Sequence, residues 1–224
     1  MVGWPWPGRR SFETMTALDA SFLYVETDHT PMHIGALTVF EGGPFLDERG
    51  AFRLEQVCAR VSERLHLVPK LRKRIATVPL RQGRPVWVDD VDFDIANHVN
   101  LLALPSPGSR EDLAALCCTL QMRVLDRAHP LWELWFIEGV DDGSIAMVEK
   151  VHHTMVDGVS GVDIAAALFD IEPEPPPSEV PEWRPVPPPE PAQLLVQSGY
   201  ARLVSPTQWW RTARALTRTP AEAV

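Results

Sequence analysis

The chain has 224 residues, 45% of them hydrophobic and 23% charged, with a formal net charge of −9. That length and apolar fraction allow one core of roughly 150 residues with chain to spare, and the acidic balance argues against a general nucleic-acid binder. No apolar run reaches the ~18 residues of a membrane-spanning helix, MVGWPWPGRR lacks the apolar stretch of a signal peptide, and three cysteines without Cys-x-x-Cys spacing suit a reducing cytoplasm.

In chain order, periodicity and boundary residues predict a helix near 17–25, a strand near 33–41, a helix over 54–65, strands near 86–91 and a helix over 109–124. Two runs follow, PLWELWFIEGV from Pro130 and GSIAMVEKV from Gly143, which read as a β-hairpin because Asp142-Gly143 is a strong turn signal. If that pair is a two-residue turn, Trp132 lies opposite His153 and Glu133 opposite His152. The last predicted helix, 160–170, opens with Ser160 and Asp163 spaced as a helix cap ahead of Ile164, Leu168 and Phe169. This mixed order predicts an α/β sandwich with a mixed, largely antiparallel sheet.

The stretch VHHTMVDGVSG, 151–161, sits where a strand gives way to a loop and then a helix. Side chains alternate along a strand, so His152 and His153 cannot both enter one cavity, and a single histidine base is expected. His153 falls on the face of Trp132, Leu134 and Val151, an apolar setting that suits a neutral imidazole, whereas His152 meets a carboxylate and reads as structural. A one-residue slip in pairing would exchange the two. A metal set of His152, His153 and Asp157, joined by His129 or His98, is the competing chemistry; adjacent strand residues diverge, and no metal is expected.

These residues resemble a known family. HHTMVDG is similar to the HHxxxDG motif of acyl-CoA-dependent acyltransferases, and LDRAHPLWELWFIEGV resembles the bacterial wax ester synthase/diacylglycerol acyltransferase family. MTALDASFLYVETDHTPMHIGAL from Met15 and PLRQGRPVWVDDVDFDIANHV from Pro79 are similar to earlier blocks of the same family, in the same order. The resemblance implies a chloramphenicol-acetyltransferase-like two-layer sandwich. It also implies transfer of a long-chain acyl group from acyl-CoA to diacylglycerol or a long-chain alcohol, with no further cofactor. On the same ground His153 is expected as general base and Asp157 as a structural, ion-paired carboxylate. Gly158 is expected to allow close approach of backbone and substrate, and Pro130, Leu131 and Trp132 to wall the substrate channel. A peptide-synthetase condensation domain shares HHxxxDG, but MHIGAL and PLWELWFIEG are not expected of it.

Ten of the 22 prolines fall in 172–191, a composition that predicts an extended linker. The expected organisation is an extension over 1–14 with Met15 as the candidate start, an N-terminal acyltransferase domain over 15–172, a proline-rich linker over 173–191 and a basic helical segment over 192–224. The second domain of the family is then absent, and the expectations include a C-terminal half supplied in trans, self-association, or a half that binds lipid without turnover. Two basic clusters stand out. Lys70, Arg72, Lys73 and Arg74 read either as a solvated face or as a site for CoA phosphates or anionic headgroups. Trp209, Trp210, Arg211, Arg214 and Arg218 read equally as a membrane-surface helix or as a helix packed on its own protein. The expected location is cytoplasmic, with peripheral contact at the inner membrane face or lipid droplets.

Overall fold

The computed structural model describes residues 12–156, 164, 167–169 and 180–204. A four-stranded sheet carries the architecture: β2 (His33–Phe40), β7 (Ile145–His152), β6 (Trp132–Glu138) and β5 (Val99–Ala103) lie side by side in that order. The first three are antiparallel neighbours and β5 runs parallel to β6, so the sheet is mixed. A smaller antiparallel sheet joins β1 (Phe12–Thr14), β4 (Val86–Asp89) and β3 (Lys73–Ala76).

Alternation along the strands divides the apolar residues between two layers. Trp132, Leu134, Phe136, Ile145, Met147 and Val151 face a core closed by α1 (Ala17–Val25) and α2 (Leu54–Arg64), through Ala20, Leu23 and Val61 among others. Ile137, Ala146 and Val148 face the opposite way, onto Leu113 and Leu120 of α3 (Arg110–Met122). Both long-looped helices begin on sequence-coded caps. Thr16 accepts the Asp19 N–H at 3.0 Å, and Ser109 with Asp112 forms a reciprocal capping box. Gly35 lets α3 settle against the sheet, because a Cβ there would occupy the place of the Gln121 side-chain amide.

The hairpin exists, but its register differs from the predicted one. Trp132 lies opposite Val151 rather than His153, and Glu133 opposite Lys150 rather than His152. The turn is displaced by one residue: the pairing centres on Asp141-Asp142, the Gly143 N–H donates to the Val140 carbonyl at 2.9 Å, and Gly139 and Gly143 take φ 83° and 77°. A shift of two residues preserves the faces, so Trp132, Leu134 and Val151 still share one side. Of the helix predicted over 160–170, positions 164, 167 and 168 are described and are helical.

Over 180–190 the proline-rich stretch has no regular secondary structure, and it lies against the domain. The Val186 N–H donates to Asp89 at 2.9 Å, and Trp183 meets Phe93 edge-on while the Arg72 guanidinium sits over its ring at 4.9 Å. Helix α4 (Pro191–Val204) follows, and its Leu194 closes a third cluster with Val78, Val86 and Val88. Trp209, Trp210 and the arginines after them lie outside the described residues. Among the described residues no helix is long and apolar enough to cross a membrane.

Candidate active site

Strand β7 ends at His152, and the chain turns at once into a 3-10 segment, His153–Met155. The two histidines therefore leave the strand in different surroundings. His152 is fully buried. Its Nδ1 accepts the backbone N–H of Thr154 at 3.1 Å, which places the ring proton on Nε2, 3.3 Å from a Glu26 carboxylate oxygen. Burial holds its pKa down to about 4 against the opposing pull of Glu26, so the ring is neutral at pH 7. His152 is thereby tied into the turn through Nδ1, while its buried Nε2 faces Glu26 with no hydrogen bond among the described residues.

The carboxylate facing His152 is Glu26, at the C-cap of α1, and not Glu133 as the predicted register implied. Glu133 instead lies 3.5 Å from the Nζ of Lys150, a buried lysine that donates to the Arg123 carbonyl at 2.7 Å. Glu26 organises more than one contact. It accepts the Met32 N–H at 2.9 Å and pairs with Arg127 at 2.8 Å, and Arg127 also donates to the Leu23 carbonyl. Burial pushes the Glu26 pKa up, yet the Met32 and Arg127 bonds and the histidine outweigh it and hold the carboxyl below its ordinary range. Nothing local in the sequence pairs Glu26 with His152, but one signal was present. An acid at a helix C-terminus opposes the helix dipole and needs a reason from elsewhere in the fold.

His153 is half-buried. Its backbone N–H donates to the Met32 carbonyl at 2.9 Å, and its imidazole stacks on Phe22 of α1 with ring centroids 5.0 Å apart and planes 20° from parallel. Among the described residues none hydrogen-bonds its ring nitrogens. A histidine with a pinned backbone, an apolar surface on one side and partial access to solvent can take a proton from a hydroxyl brought to it.

Pro130, Leu131 and Trp132 pack beneath this turn. The Leu131 carbonyl accepts the His152 N–H at 3.0 Å. Trp132 is 1% exposed, donates Nε1–H to the Leu71 carbonyl at 2.8 Å, and stacks on His98 with centroids 4.4 Å apart. His98 donates Nδ1–H to the Trp132 carbonyl at 2.9 Å, and burial lowers its pKa to about 4. Asp157 and Gly158 lie outside the described residues. The Lys70–Arg74 cluster is engaged with its own protein: Lys70 over Trp87, Arg72 on the Ser62 carbonyl, Lys73 on Glu13 and Arg74 on Asp90.

A family model described as the wax ester synthase/diacylglycerol acyltransferase catalytic domain matches residues 15–223. The probable diacylglycerol O-acyltransferase tgs3 of Mycobacterium tuberculosis is 36% identical over 192 residues, covering 86% of this chain and 69% of that protein. Its tgs1 counterpart is 40% identical over 158 residues, covering 70% of this chain and 33% of that protein. Among solved structures, the wax ester synthase/diacylglycerol acyltransferase from Marinobacter aquaeolei VT8 superposes with a TM-score of 0.57 at 31% identity, over 68% of this chain and 36% of that one. The starter condensation domain of rhizomide synthetase, solved with C8-CoA, shares the fold at 17% identity and a TM-score of 0.52, over 70% of this chain and 34% of that one. The chain thus spans about a third of the length of tgs1 and of the Marinobacter structure. With the strand, the histidine turn and the PLW support in this arrangement, the chain belongs to the wax ester synthase/diacylglycerol acyltransferase catalytic-domain family.

Proposed function

We propose that the chain carries the general-base half of an acyl-CoA-dependent O-acyltransfer, with His153 as the base and diacylglycerol or a long-chain alcohol as acceptor. The observation that carries this reading is the contrast between the two histidines. His152 has Nδ1 committed to the turn and Nε2 facing Glu26, whereas no described residue hydrogen-bonds the ring nitrogens of half-buried His153. In the reaction, the acceptor O–H gives its proton to the His153 imidazole as the oxygen attacks the thioester carbonyl. The new C–O bond forms, the C–S bond breaks, and the CoA sulfur leaves and takes the proton. Proton transfer of this kind contributes roughly a hundred- to ten-thousand-fold. Asp157 and Gly158 enter this reading as loop residues, on the strength of the motif alone.

The test is CoA release from palmitoyl-CoA with diacylglycerol or hexadecanol as acceptor, run on the parent and on His153→Ala. Acceptor-dependent release that disappears in His153→Ala, with folding intact, supports the reading. A variant that keeps most of the parent rate removes His153 from the base position.

A further inference from the structure

We propose that Phe22 is a positioning residue for the general base, its ring fixing the His153 imidazole in the orientation that receives the acceptor proton. The proposal rests on the reading of His153 as base and deepens it. Helix α1 touches the histidine turn at two places one helical turn apart, Phe22 and Glu26, which lie on the same helix face. Glu26 fixes the backbone: it holds the Met32 N–H at 2.9 Å, and the Met32 carbonyl in turn receives the His153 N–H at 2.9 Å. That chain of bonds sets the Cα of His153 but leaves two side-chain torsions open, each with alternative wells.

Histidine bases are commonly oriented by a hydrogen bond from the second ring nitrogen to a carboxylate or carbonyl. Among the described residues His153 has no such bond. The near-parallel Phe22 ring, 5.0 Å from the imidazole, supplies the contact that restricts rotation. The helix itself is anchored, since Ala20 and Leu23 are buried in the core and Thr16 caps its start, so Phe22 presents a fixed surface. The aromatic face has a second use. As the imidazole takes the acceptor proton it becomes a cation beside a π face, an attraction that is larger in the transition state than in the ground state. An aliphatic side chain of similar volume supplies the packing without that attraction.

The test compares Phe22→Leu, Phe22→Met and Phe22→Tyr with the parent by steady-state kinetics on palmitoyl-CoA and hexadecanol, alongside NMR of the His153 ring protons, assigned by their loss in His153→Ala. Phe22→Leu is expected to lower kcat roughly 5- to 20-fold while the KM for palmitoyl-CoA stays within about two-fold, and Phe22→Tyr to recover most of the rate. The His153 ring protons, shifted by the ring current of Phe22 in the parent, are expected to move in the leucine and methionine variants and to stay in place in the tyrosine variant. Unmoved ring protons in Phe22→Leu, or a tyrosine variant as slow as the leucine one, overturn the proposal. If Phe22→Leu fails to fold, Phe22→Met carries the comparison. A parent without turnover defeats the general-base reading, and the NMR comparison still decides whether Phe22 holds the ring.

Discussion

Glu149 is an anomaly that a stability measurement can read directly. It lies on β7 between Met147 and Val151, on the face that forms the main core; it is 2% exposed, and among the described residues neither carboxylate oxygen has a hydrogen-bond partner. Burial alone raises its pKa to about 7. Between the ordinary carboxylate value and about 7 the folded chain keeps a proton that the unfolded chain has released. Its contribution therefore falls as pH rises through that window, by about 1.4 kcal/mol per pH unit. His152 and His98 act in the opposite sense. Their pKa values are held down to about 4, so they lose stability as pH falls below the ordinary histidine value. The absolute pH profile mixes the three, and only a difference isolates the glutamate. Glu149→Gln removes the titration while keeping size and polarity. Its stability advantage over the parent is expected to grow by about 2 to 3 kcal/mol between about pH 5 and pH 8, or roughly 5 to 10 °C in Tm for a domain of this size. Urea titrations of both proteins at the two pH values measure it. Parallel pH profiles for parent and variant would refute the reasoning, because they would mean that Glu149 is hydrated or paired in the folded chain.

Three further outcomes follow from the same geometry. Glu26→Ala removes the acceptor for Met32 and the partner of Arg127 and His152; since Arg127 is about half exposed, the cost is expected to be about 2 kcal/mol rather than that of a fully buried pair. Chemical denaturation measures that cost, and turnover should fall because Met32, whose carbonyl holds the His153 N–H, loses its own anchor. His98→Phe keeps a flat ring between Phe93 and Trp132 and discards the titration. Its unfolding free energy should fall less steeply than the parent's from about pH 6.5 to pH 4, by up to about 1.4 kcal/mol per pH unit. Gly35→Val forces the Gln121 amide out of its place against β2, and a loss of roughly 1 to 3 kcal/mol with slackened near-ultraviolet packing signals is expected.

The elements that could be read from the sequence are those whose code is local. Thr16 with Asp19 and Ser109 with Asp112 announce helix starts within four residues, and the observed helices begin there. The hairpin strands declared themselves by their β-favouring runs, and the division of faces survived because the register error was an even number. The turn position is not legible because Asp142-Gly143 looks sufficient as a central pair, whereas the pairing centres on Asp141-Asp142 and Gly143 takes its positive φ one place later. Strands β1, β3 and β5 have three to five residues each, too few for a period to emerge, and exist because a partner strand lies beside them. The histidine pair was visible as a motif. Its setting was not, since Phe22 and Glu26 reach it across more than a hundred residues of chain.

The seating of Leu194 on the small sheet, and of Trp183 beside it on Phe93 and Arg72, has a consequence for the order of events during synthesis. Domains fold largely as their chain emerges, yet the cluster of Val78, Val86 and Val88 includes Leu194, more than a hundred residues downstream of β4. Until that residue has been made, a nascent chain that already holds its central sheet and histidine turn lacks part of the cover over Val86 and Val88. The indole of Trp183, arriving between Phe93 and Arg72, would report the moment of closure as a change in fluorescence.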